Sequence, residues 1–181
     1  ADCEKILLKY KSKDFHTTVV RPATVCGYAK RQRLDVVVNI LTNHAFNKKK
    51  IKVFGGEQLR PNIHINDMVN AYLKIIESPV DQVSGQIFNV GYQNLKVKEI
   101  AELVKKVIDN NIELDFVKTD DNRSYHISSK KINKVLGFEP KFTVENAIKD
   151  LKDAFEKKLL PNSFSDEKYF NIKKFEKIDL K

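Results

Sequence analysis

The sequence has few cysteines, which could form stabilising disulfides, and no long apolar segment that could cross a membrane. It has no tryptophan, one methionine and two cysteines, Cys3 and Cys26, among 181 residues. Two cysteines are too few for a disulfide framework or a metal knuckle, so we expect no metal and a reducing compartment, the cytoplasm. The longest apolar runs, such as residues 36–38, are too short to predict a transmembrane helix. No charged segment followed by an apolar one opens the sequence, so we expect no secretory signal.

Arginine is also scarce. The 33 basic residues exceed the 24 acidic ones, which gives a net charge of +9, but five of the 33 are arginine and the rest are lysine. A guanidinium can bind a phosphate through two parallel hydrogen bonds, whereas an ammonium cannot, so each arginine is a candidate phosphate ligand. The hydrophobic fraction of 41% is typical of a globular protein. The five arginines are Arg21, Arg31, Arg33, Arg60 and Arg123.

Helical and strand patterns alternate along the chain. Residues 1–12 show helical spacing from the first residue, so we expect the chain to begin inside a helix, as the C-terminal part of a longer protein. We expect residues 17–20 to form the edge of a parallel sheet that lacks its other strands. The alternation as a whole predicts an α/β fold. Further helices are predicted at about 33–46, 66–77, 96–108, 129–136 and 143–159, and strands at 51–54, 62–65, 86–90 and 112–117.

Three loops contain residues suited to ligand binding. Residues 21–27 follow the first strand, where open α/β sheets bind ligands, although an ordinary connection is equally compatible. Residues 53–61 combine an aromatic residue, two glycines and Arg60, which could stack a base and bind a phosphate, or form a turn with a surface arginine. Residues 120–126 place Arg123 in a polar loop.

Five short motifs occur in a fixed order over residues 1–155. They are Arg21-Pro22-x-x-Val25-x-Gly27, Val53-Phe54-Gly55-Gly56-x-Gln58-x-Arg60, Ile63-His64-Ile65-x-Asp67-Met68-Val69, Phe88-Asn89-Val90-Gly91 with Val97–Ala101 after it, and Arg123 with Leu136-Gly137-Phe138-Glu139-Pro140-Lys141. In this order they resemble the extended short-chain dehydrogenase/reductase family, and within it the NAD-dependent nucleotide-sugar epimerases and dehydratases.

The resemblance implies the C-terminal portion of an extended Rossmann-type NAD(P)-binding fold with a smaller α/β substrate-binding lobe. Residues 1–30 would end the Rossmann domain, and residues 31–160 would form mainly the lobe, with strands returning to the main sheet. Residues 161–181 would be a C-terminal tail. The catalytic Tyr-x-x-x-Lys motif and the glycine-rich loop are expected upstream of Ala1, so no catalytic residue is assigned. This chain alone is therefore expected to be inactive.

The resemblance also implies cofactor and substrate contacts near the first strand. Pro22, Ala23 and Val25 match a loop close to the nicotinamide of NAD or NADP. Thr24 matches a position, often asparagine, that hydrogen-bonds the nucleotide-sugar. Residues 36–37 (Val36 and Val37) match a segment whose backbone N–H groups meet the diphosphate, an arrangement that suits a helix N-terminus.

A second set of implied contacts concerns the nucleotide. Phe54 matches the aromatic residue beside the base, and Arg60 and Arg123 match the two arginines that hold the diphosphate. His126 stands where relatives often have an aspartate that contacts the ribose. Arg31 and Arg33 are assigned to the rim of the sugar site.

Three other residues are interpreted as structural. Cys26 has no nearby histidine in sequence and is expected to be buried packing. His64 alternates with isoleucines in a half-buried strand, and Asp67, or its neighbour Asn66, is expected to cap the following helix. None of them is assigned to the chemistry.

The function implied by the resemblance is hydride transfer from a sugar carbon to NAD, with a keto-sugar intermediate and a nucleoside-diphosphate sugar as substrate. The family also implies a homodimer of the complete enzyme, and no membrane or nucleic-acid partner is expected. Two alternatives stay open: a basic nucleic-acid-binding module, motivated by the charge of +9, and a non-catalytic nucleotide-sugar binder.

Overall fold

A computed structural model describes residues 2–120 and 123–177. Within them helices and strands alternate, which confirms the predicted α/β fold class. No helix in these ranges is long and apolar enough to cross a membrane. The elements are α1 (Asp2–Lys9), β1 (Thr18–Pro22), β2 (Thr24–Cys26), α2 (Val37–Lys48), β3 (Lys50–Phe54), β4 (Leu59–His64), α3 (Ile65–Ile76), α4 (Val80–Val83), β5 (Gln86–Val90), β6 (Gln93–Lys96), α5 (Val97–Ile108), β7 (Glu113–Val117), α6 (Lys130–Leu136), α7 (Val144–Glu156), a 3₁₀ turn (Glu167–Tyr169) and α8 (Asn171–Lys177).

The strands form three small sheets. β1 pairs with β5 in parallel, β3 pairs with β7 in parallel, and β4 lies between β2, to which it is parallel, and β6, to which it is antiparallel. The parallel pairs join strands far apart in sequence, with helices between them, as α/β folds require. Among the described residues, β1 has β5 as its one neighbour, so it lies at a sheet edge as expected.

The segment after the first strand is not the loop that the sequence predicted. Strand β1 continues through Pro22, and β2 begins at Thr24. Between them the backbone N–H of Ala23 donates to the Val90 carbonyl oxygen at 2.7 Å. The chain therefore changes neighbours at Ala23, from β5 to β4, while staying extended. Proline is tolerated here because it stands at the end of its strand.

Three helices pack on β3 to form the largest apolar cluster. Helix α5 shows the sequence pattern most clearly, since Ile100, Ala101 and Val104 recur at helical spacing and are fully buried. They meet buried residues of α2, α7 and β3 in one cluster. A second cluster surrounds Phe88 of β5, and a third joins Leu34 to α7 and to Tyr169. The C-terminal tail therefore packs against the rest of the molecule through Tyr169.

Two helix starts differ from the sequence prediction. Helix α2 begins at Val37 rather than near residue 33, because residues 33–35 are held as a loop in which Asn39 Nδ2 donates to the Arg33 carbonyl oxygen at 2.8 Å. Helix α3 is capped by His64, whose Nδ1 accepts from the Asn66 backbone N–H at 3.1 Å. The prediction that Asn66 or Asp67 caps this helix is wrong.

Asp67 instead joins two distant parts of the chain. It lies inside the first turn of α3 with 1% of its surface exposed. Its carboxylate accepts the backbone N–H of Lys141 at 3.0 Å and that of Phe142 at 2.8 Å. Hydrogen bonds from two N–H groups satisfy a buried charge that would otherwise be costly. This carboxylate anchors the segment that leads into α7.

Helix α1 stands apart from these clusters. None of its residues is buried, although its sequence is amphipathic. Its apolar side chains instead form an exposed surface. Its connection to the rest includes an ion pair between Glu4 and Arg21, with 2.5 Å between Oε2 and Nη2. The surface is lined by Cys3, Ile6, Leu7, Tyr10 and Phe15.

Candidate functional site

A cavity of about 350 Å³ lies beside β1 and β2. The two strands contribute Pro22 and Val25, and α3 contributes Met68 and Tyr72, so one side is mainly apolar. Residues 31–33 line it with polar and charged groups. Its volume is within the range of small-molecule sites, and the mixture of an apolar wall with a few polar groups is typical of them. We call it the candidate cavity.

Gly27 allows the backbone to pass close to His64 at the edge of this cavity. Its φ is +102°, and a Cβ atom there would meet His64 Nε2 at 3.2 Å. The N–H of Gly27 donates to Asn39 Oδ1 at 3.2 Å. His64 itself is buried, and its Nε2 lies 3.0 Å from Asp150 Oδ2 while its Nδ1 caps α3. Since Nδ1 accepts a hydrogen bond, Nε2 carries the proton, and the ring connects β4 to α7.

Cys26 also lines the cavity but is poorly suited to nucleophilic chemistry. The side chain is 1% exposed, and its thiol donates to the Ile63 carbonyl oxygen at 3.4 Å. Burial raises the pKa of the thiol to about 12, because an apolar environment disfavours the thiolate. A thiol held neutral in this way acts as packing, in line with its structural interpretation.

The structure brings Arg60 and Arg123 together. Arg60 lies in β4, and its guanidinium Nη1 donates to the backbone carbonyl of Arg123 and, at 3.0 Å, to that of Leu59. The Leu59 N–H donates to Ser124 Oγ at 3.0 Å, and the Arg60 guanidinium lies 5.8 Å from the centre of the Tyr125 ring. The start of β4 and the loop from residue 123 therefore form one basic surface. Asp121 and Asn122, in the same predicted motif, lie outside the described residues.

Phe54 and His126 both face solvent. Phe54 ends β3 with 55% of its surface exposed, and His126 is exposed in the loop after Arg123. The turn after Phe54 is rigid, because Gln58 Nε2 donates to the Phe54 carbonyl oxygen at 2.7 Å and Gln58 Oε1 accepts the Gly56 N–H at 2.6 Å. An exposed ring on a rigid turn is available for stacking.

The residues predicted around the first strand divide into two groups. Pro22 and Val25 line the candidate cavity, whereas Ala23 is buried beneath it and Thr24 is half-buried in β2. Val36 and Val37 form the N-cap and first residue of α2. Val36 has no side-chain oxygen that could cap α2. The first backbone N–H groups of the helix are therefore left to other partners, and helix N-termini of this kind can bind anions.

Several residues that line the cavity were missed by the sequence analysis. Gln32 is 4% exposed, and its side chain bonds the backbone of Gly27, Ala29 and Arg33. Met68 and Tyr72 also line it. The spacing of four between these two residues places them on one face of α3, and this signal could have identified them. For Gln32 no local signal existed, since its partners belong to an irregular loop.

The described part of the chain contains no group of three or more His, Cys, Asp or Glu residues placed to hold a metal ion. The arrangement instead offers an apolar cavity and, separately along the chain, two neighbouring arginines. Arginines of this kind are able to bind phosphate groups, and the apolar wall of the cavity is able to pack against a planar ring of a ligand.

Comparison with known proteins finds similarity to one family over the first half of the chain. A model described as the NAD dependent epimerase/dehydratase family matches residues 3–91. UDP-D-apiose/UDP-D-xylose synthase 1 of Arabidopsis thaliana is 32% identical over 106 residues, which are 50% of this chain and 26% of that protein. UDP-glucuronic acid decarboxylase 5 of the same plant is 28% identical over 150 residues, 80% of this chain and 43% of that protein. The chain thus spans less than half the length of these relatives.

Solved structures share the fold. The UDP-glucose 4-epimerase of Thermotoga maritima, solved with UDP-glucose, superposes with a TM-score of 0.75 at 24% identity, over 87% of this chain and 52% of that one. The dTDP-glucose 4,6-dehydratase of Bacillus anthracis, solved with NAD, gives a TM-score of 0.72 at 22% identity, over 87% and 50%. Residues 3–91 are therefore similar to the NAD dependent epimerase/dehydratase family, and the solved structures show that the chain shares the fold of such enzymes.

Proposed function

We propose that this chain forms the nucleotide-sugar-binding part of an NAD(P)-dependent epimerase or dehydratase. The observation that carries the proposal is the contact between the Arg60 guanidinium and the backbone of Arg123, 63 residues away in sequence. Two of only five arginines thereby share one surface in a chain whose basic residues are mostly lysine. Bidentate guanidinium groups on a rigid support are suited to a diphosphate.

The surrounding residues support roles for the rest of the ligand. The exposed ring of Phe54 is available to a nucleotide base, and His126 is proposed to contact the ribose. The uncapped start of α2 at Val36 and Val37 is proposed to donate backbone N–H groups to the diphosphate. Thr24 would hydrogen-bond the nucleotide-sugar.

The residues beside β1 fit the nicotinamide end of an NAD or NADP cofactor. The wall formed by Pro22 and Val25 is apolar, which suits a planar ring, and the Ala23 N–H between them bonds to β5. When bound, the cofactor supplies an acceptor for hydride from a sugar carbon. In the complete enzyme the resulting keto-sugar would be reduced again to an epimer or lose water, and the residues of this chain would hold and orient it.

Calorimetric titration of the full chain with UDP, dTDP, CDP and GDP tests the arginine pair. We expect one of these nucleotides to bind, and Arg60→Ala and Arg123→Ala each to weaken that binding about tenfold or more, because each removes a charge-assisted contact to phosphate. Arg60→Lys would restore only part of the affinity. Lys157→Ala, which removes one exposed positive charge after α7, is the control. Equal affinity of the arginine variants and the wild type would refute the proposal.

The finer parts of the proposal concern the complete enzyme. We propose that it is a cytoplasmic homodimer, and that this chain alone does not turn over nucleotide-sugars, since none of its residues is assigned the role of the catalytic tyrosine or lysine of the family. Turnover of UDP-glucose by the purified chain with NAD would contradict the proposed inactivity of this chain. Analytical ultracentrifugation of the complete enzyme tests the proposed homodimer.

The structure favours this function over nucleic-acid binding. Several lysines are neutralised by adjacent acids, including Lys50 by Glu113 at 2.7 Å and Lys149 by Glu145 at 2.6 Å. Paired lysines of this kind are typical of a solvated surface. A nucleic-acid module would instead show binding to duplex DNA that weakens steeply with salt.

A further inference from the structure

The C-terminal tail, described in the structure over residues 161–177, contacts the loop formed by residues 28–35. The backbone N–H of Leu34 donates to the Tyr169 carbonyl oxygen at 2.9 Å. The backbone N–H of Asn171 donates to Asp35 Oδ2 at 2.9 Å, and Arg31 Nη2 donates to Asn171 Oδ1 at 3.0 Å. Asn171 therefore bonds to the loop twice, once through its backbone and once through its side chain.

Apolar packing reinforces these hydrogen bonds. Leu34 is fully buried and Tyr169 is 3% exposed, and both belong to one cluster with Phe155 and Leu160. Tyr28, at the other end of the loop, packs against the same cluster. The two ends of the loop are thus fixed by the body of the molecule and by the tail.

The other side of the loop faces the candidate cavity. Residues 31–33 line that cavity, and Gln32 closes the loop internally through its bonds to Ala29 and Arg33. The loop also ends at Val36, the N-cap of α2. The described residues that line the cavity come from the strands, the loop, α2 and α3 and not from the tail, so any effect of the tail on a ligand passes through the loop.

We propose that the tail is a strap that holds residues 28–35 in place for the sugar part of the substrate, and that Asp35 and Asn171 are positioning residues. This inference rests on the proposed function, because it assumes that the sugar lies in the part of the candidate cavity lined by residues 31–33, next to the apolar wall proposed for the nicotinamide, while the diphosphate is held by the arginines. Asp35 is well placed for this role because its two carboxylate oxygens have different partners. Oδ2 accepts from the tail, and Oδ1 accepts from Arg33 Nε of the same loop at 2.9 Å.

Two substitutions at Asn171 separate its two bonds. Asn171→Ala removes the bond to Arg31 but keeps the backbone N–H that donates to Asp35. Asn171→Pro removes both. Proline suits this position because Asn171 begins α8 and Phe170 before it is extended, with φ −125° and ψ 106°. Asp35→Ala removes the acceptor from the loop side, in case the proline variant does not fold, and Asp81→Ala removes an exposed carboxylate from α4 as control.

Hydrogen exchange of the full chain measures the strap directly. We expect amides of residues 28–35 to exchange about tenfold faster in Asn171→Pro and Asp35→Ala than in Asn171→Ala or Asp81→Ala, because a hydrogen bond to a charged group is lost. Unchanged exchange in Asn171→Pro and Asp35→Ala would overturn the proposal.

Titration with UDP and UDP-glucose then separates positioning from mere stability. We expect the two strap variants to bind UDP as the wild type does and UDP-glucose several-fold more weakly. An equal loss for both ligands, or no loss for either, would overturn the positioning role. If the wild type binds none of UDP, dTDP, CDP, GDP and UDP-glucose, the proposed function is wrong, and the positioning role is wrong with it. The hydrogen-exchange result is independent of this outcome, since it shows whether the tail holds the loop in place.

Discussion

At the scale of single residues, environment determines what each chemical group does. Cys26 and Cys3 have the same thiol, but Cys26 is buried and Cys3 is exposed. His64 and His126 have the same ring, but His64 is held between the start of α3 and Asp150, whereas His126 faces solvent. Residue type alone therefore did not distinguish the structural from the accessible member of either pair.

The difference between the cysteines predicts their reactivity. Because burial raises the pKa of the Cys26 thiol to about 12, almost no thiolate forms at pH 8, and the side chain is also inaccessible. We expect Ellman's reagent to modify one thiol per native chain, at Cys3, and both thiols in guanidinium chloride. Cys3→Ser should abolish the native reaction. Rapid modification of the native Cys3→Ser variant would contradict the burial of Cys26.

The buried carboxylate of Asp67 predicts a stability effect. Asp67→Asn leaves one oxygen to accept the N–H groups of Lys141 and Phe142 and turns an amide N–H₂ donor toward them. We expect the free energy of unfolding in urea to fall by about 2 kcal/mol, the magnitude for lost hydrogen bonds to a buried charged group. Asp81→Asn, in an exposed position of α4, should change it by less than about 0.5 kcal/mol. Similar stabilities of the two variants would argue against the anchoring role.

At the scale of elements, short charged contacts connect the turn before β4 to the start of α5. Glu57 Oε2 accepts from Lys96 Nζ at 2.8 Å, and its other oxygen accepts from Lys98 Nζ. These hydrogen bonds, that from Lys96 most and that from Lys98 next, lower the pKa of the Glu57 carboxyl to about 2 from 4.5. All three groups are exposed, so salt screens the contact.

The Glu57 cluster predicts a pH dependence. Since the pKa is lower in the folded state, its contribution to stability is present above pH 4.5 and is lost as the pH falls toward 2. A ¹³C titration should place the Glu57 carboxyl midpoint near 2, and Lys96→Gln should raise it toward 4.5. Lys52→Gln, on the outer face of β3, should leave it unchanged. A wild-type midpoint near 4.5 would show that the cluster does not form in solution.

At the scale of the whole molecule, the parts differ in how fully they are packed. Helices α2, α5 and α7 bury their apolar faces together with β3, whereas Ile6 of α1 is 55% exposed and Tyr10, directly after α1, is 69% exposed. An apolar surface that is contiguous and open to water favours self-association. The first helix therefore presents an apolar surface to water.

This surface predicts the solution behaviour of the chain. The double substitution Ile6→Gln and Tyr10→Gln should lower dye binding to exposed apolar surface and reduce concentration-dependent aggregation, without lowering the melting temperature, because neither side chain is buried. The same change at Ile172 and Phe175 removes exposed apolar side chains from α8 as control. A sharp, cooperative melt of the unmodified monomer, with no aggregation, would count against this expectation.

The sequence by itself determined the local features of this protein. The α/β class followed from alternating periodicities, and the buried face of α5 from residues at helical spacing, because both patterns depend on neighbours within a few positions. The order of the motifs was enough to indicate the family. The assignments of Arg60 and Arg123 to a diphosphate stay predictions, although their proximity supports them.

Only the tertiary structure decided the contacts between distant segments. The anchoring of residues 141–142 by Asp67, the change of strand partner at Ala23 and the contact of Asn171 with Asp35 all join groups that are far apart in sequence. The local sequence around each group does not encode its partner, or indicates another role. Short polar residues such as aspartate and asparagine can cap, turn or pair equally well in isolation. Which of these they do depends on the donors that the folded chain places beside them.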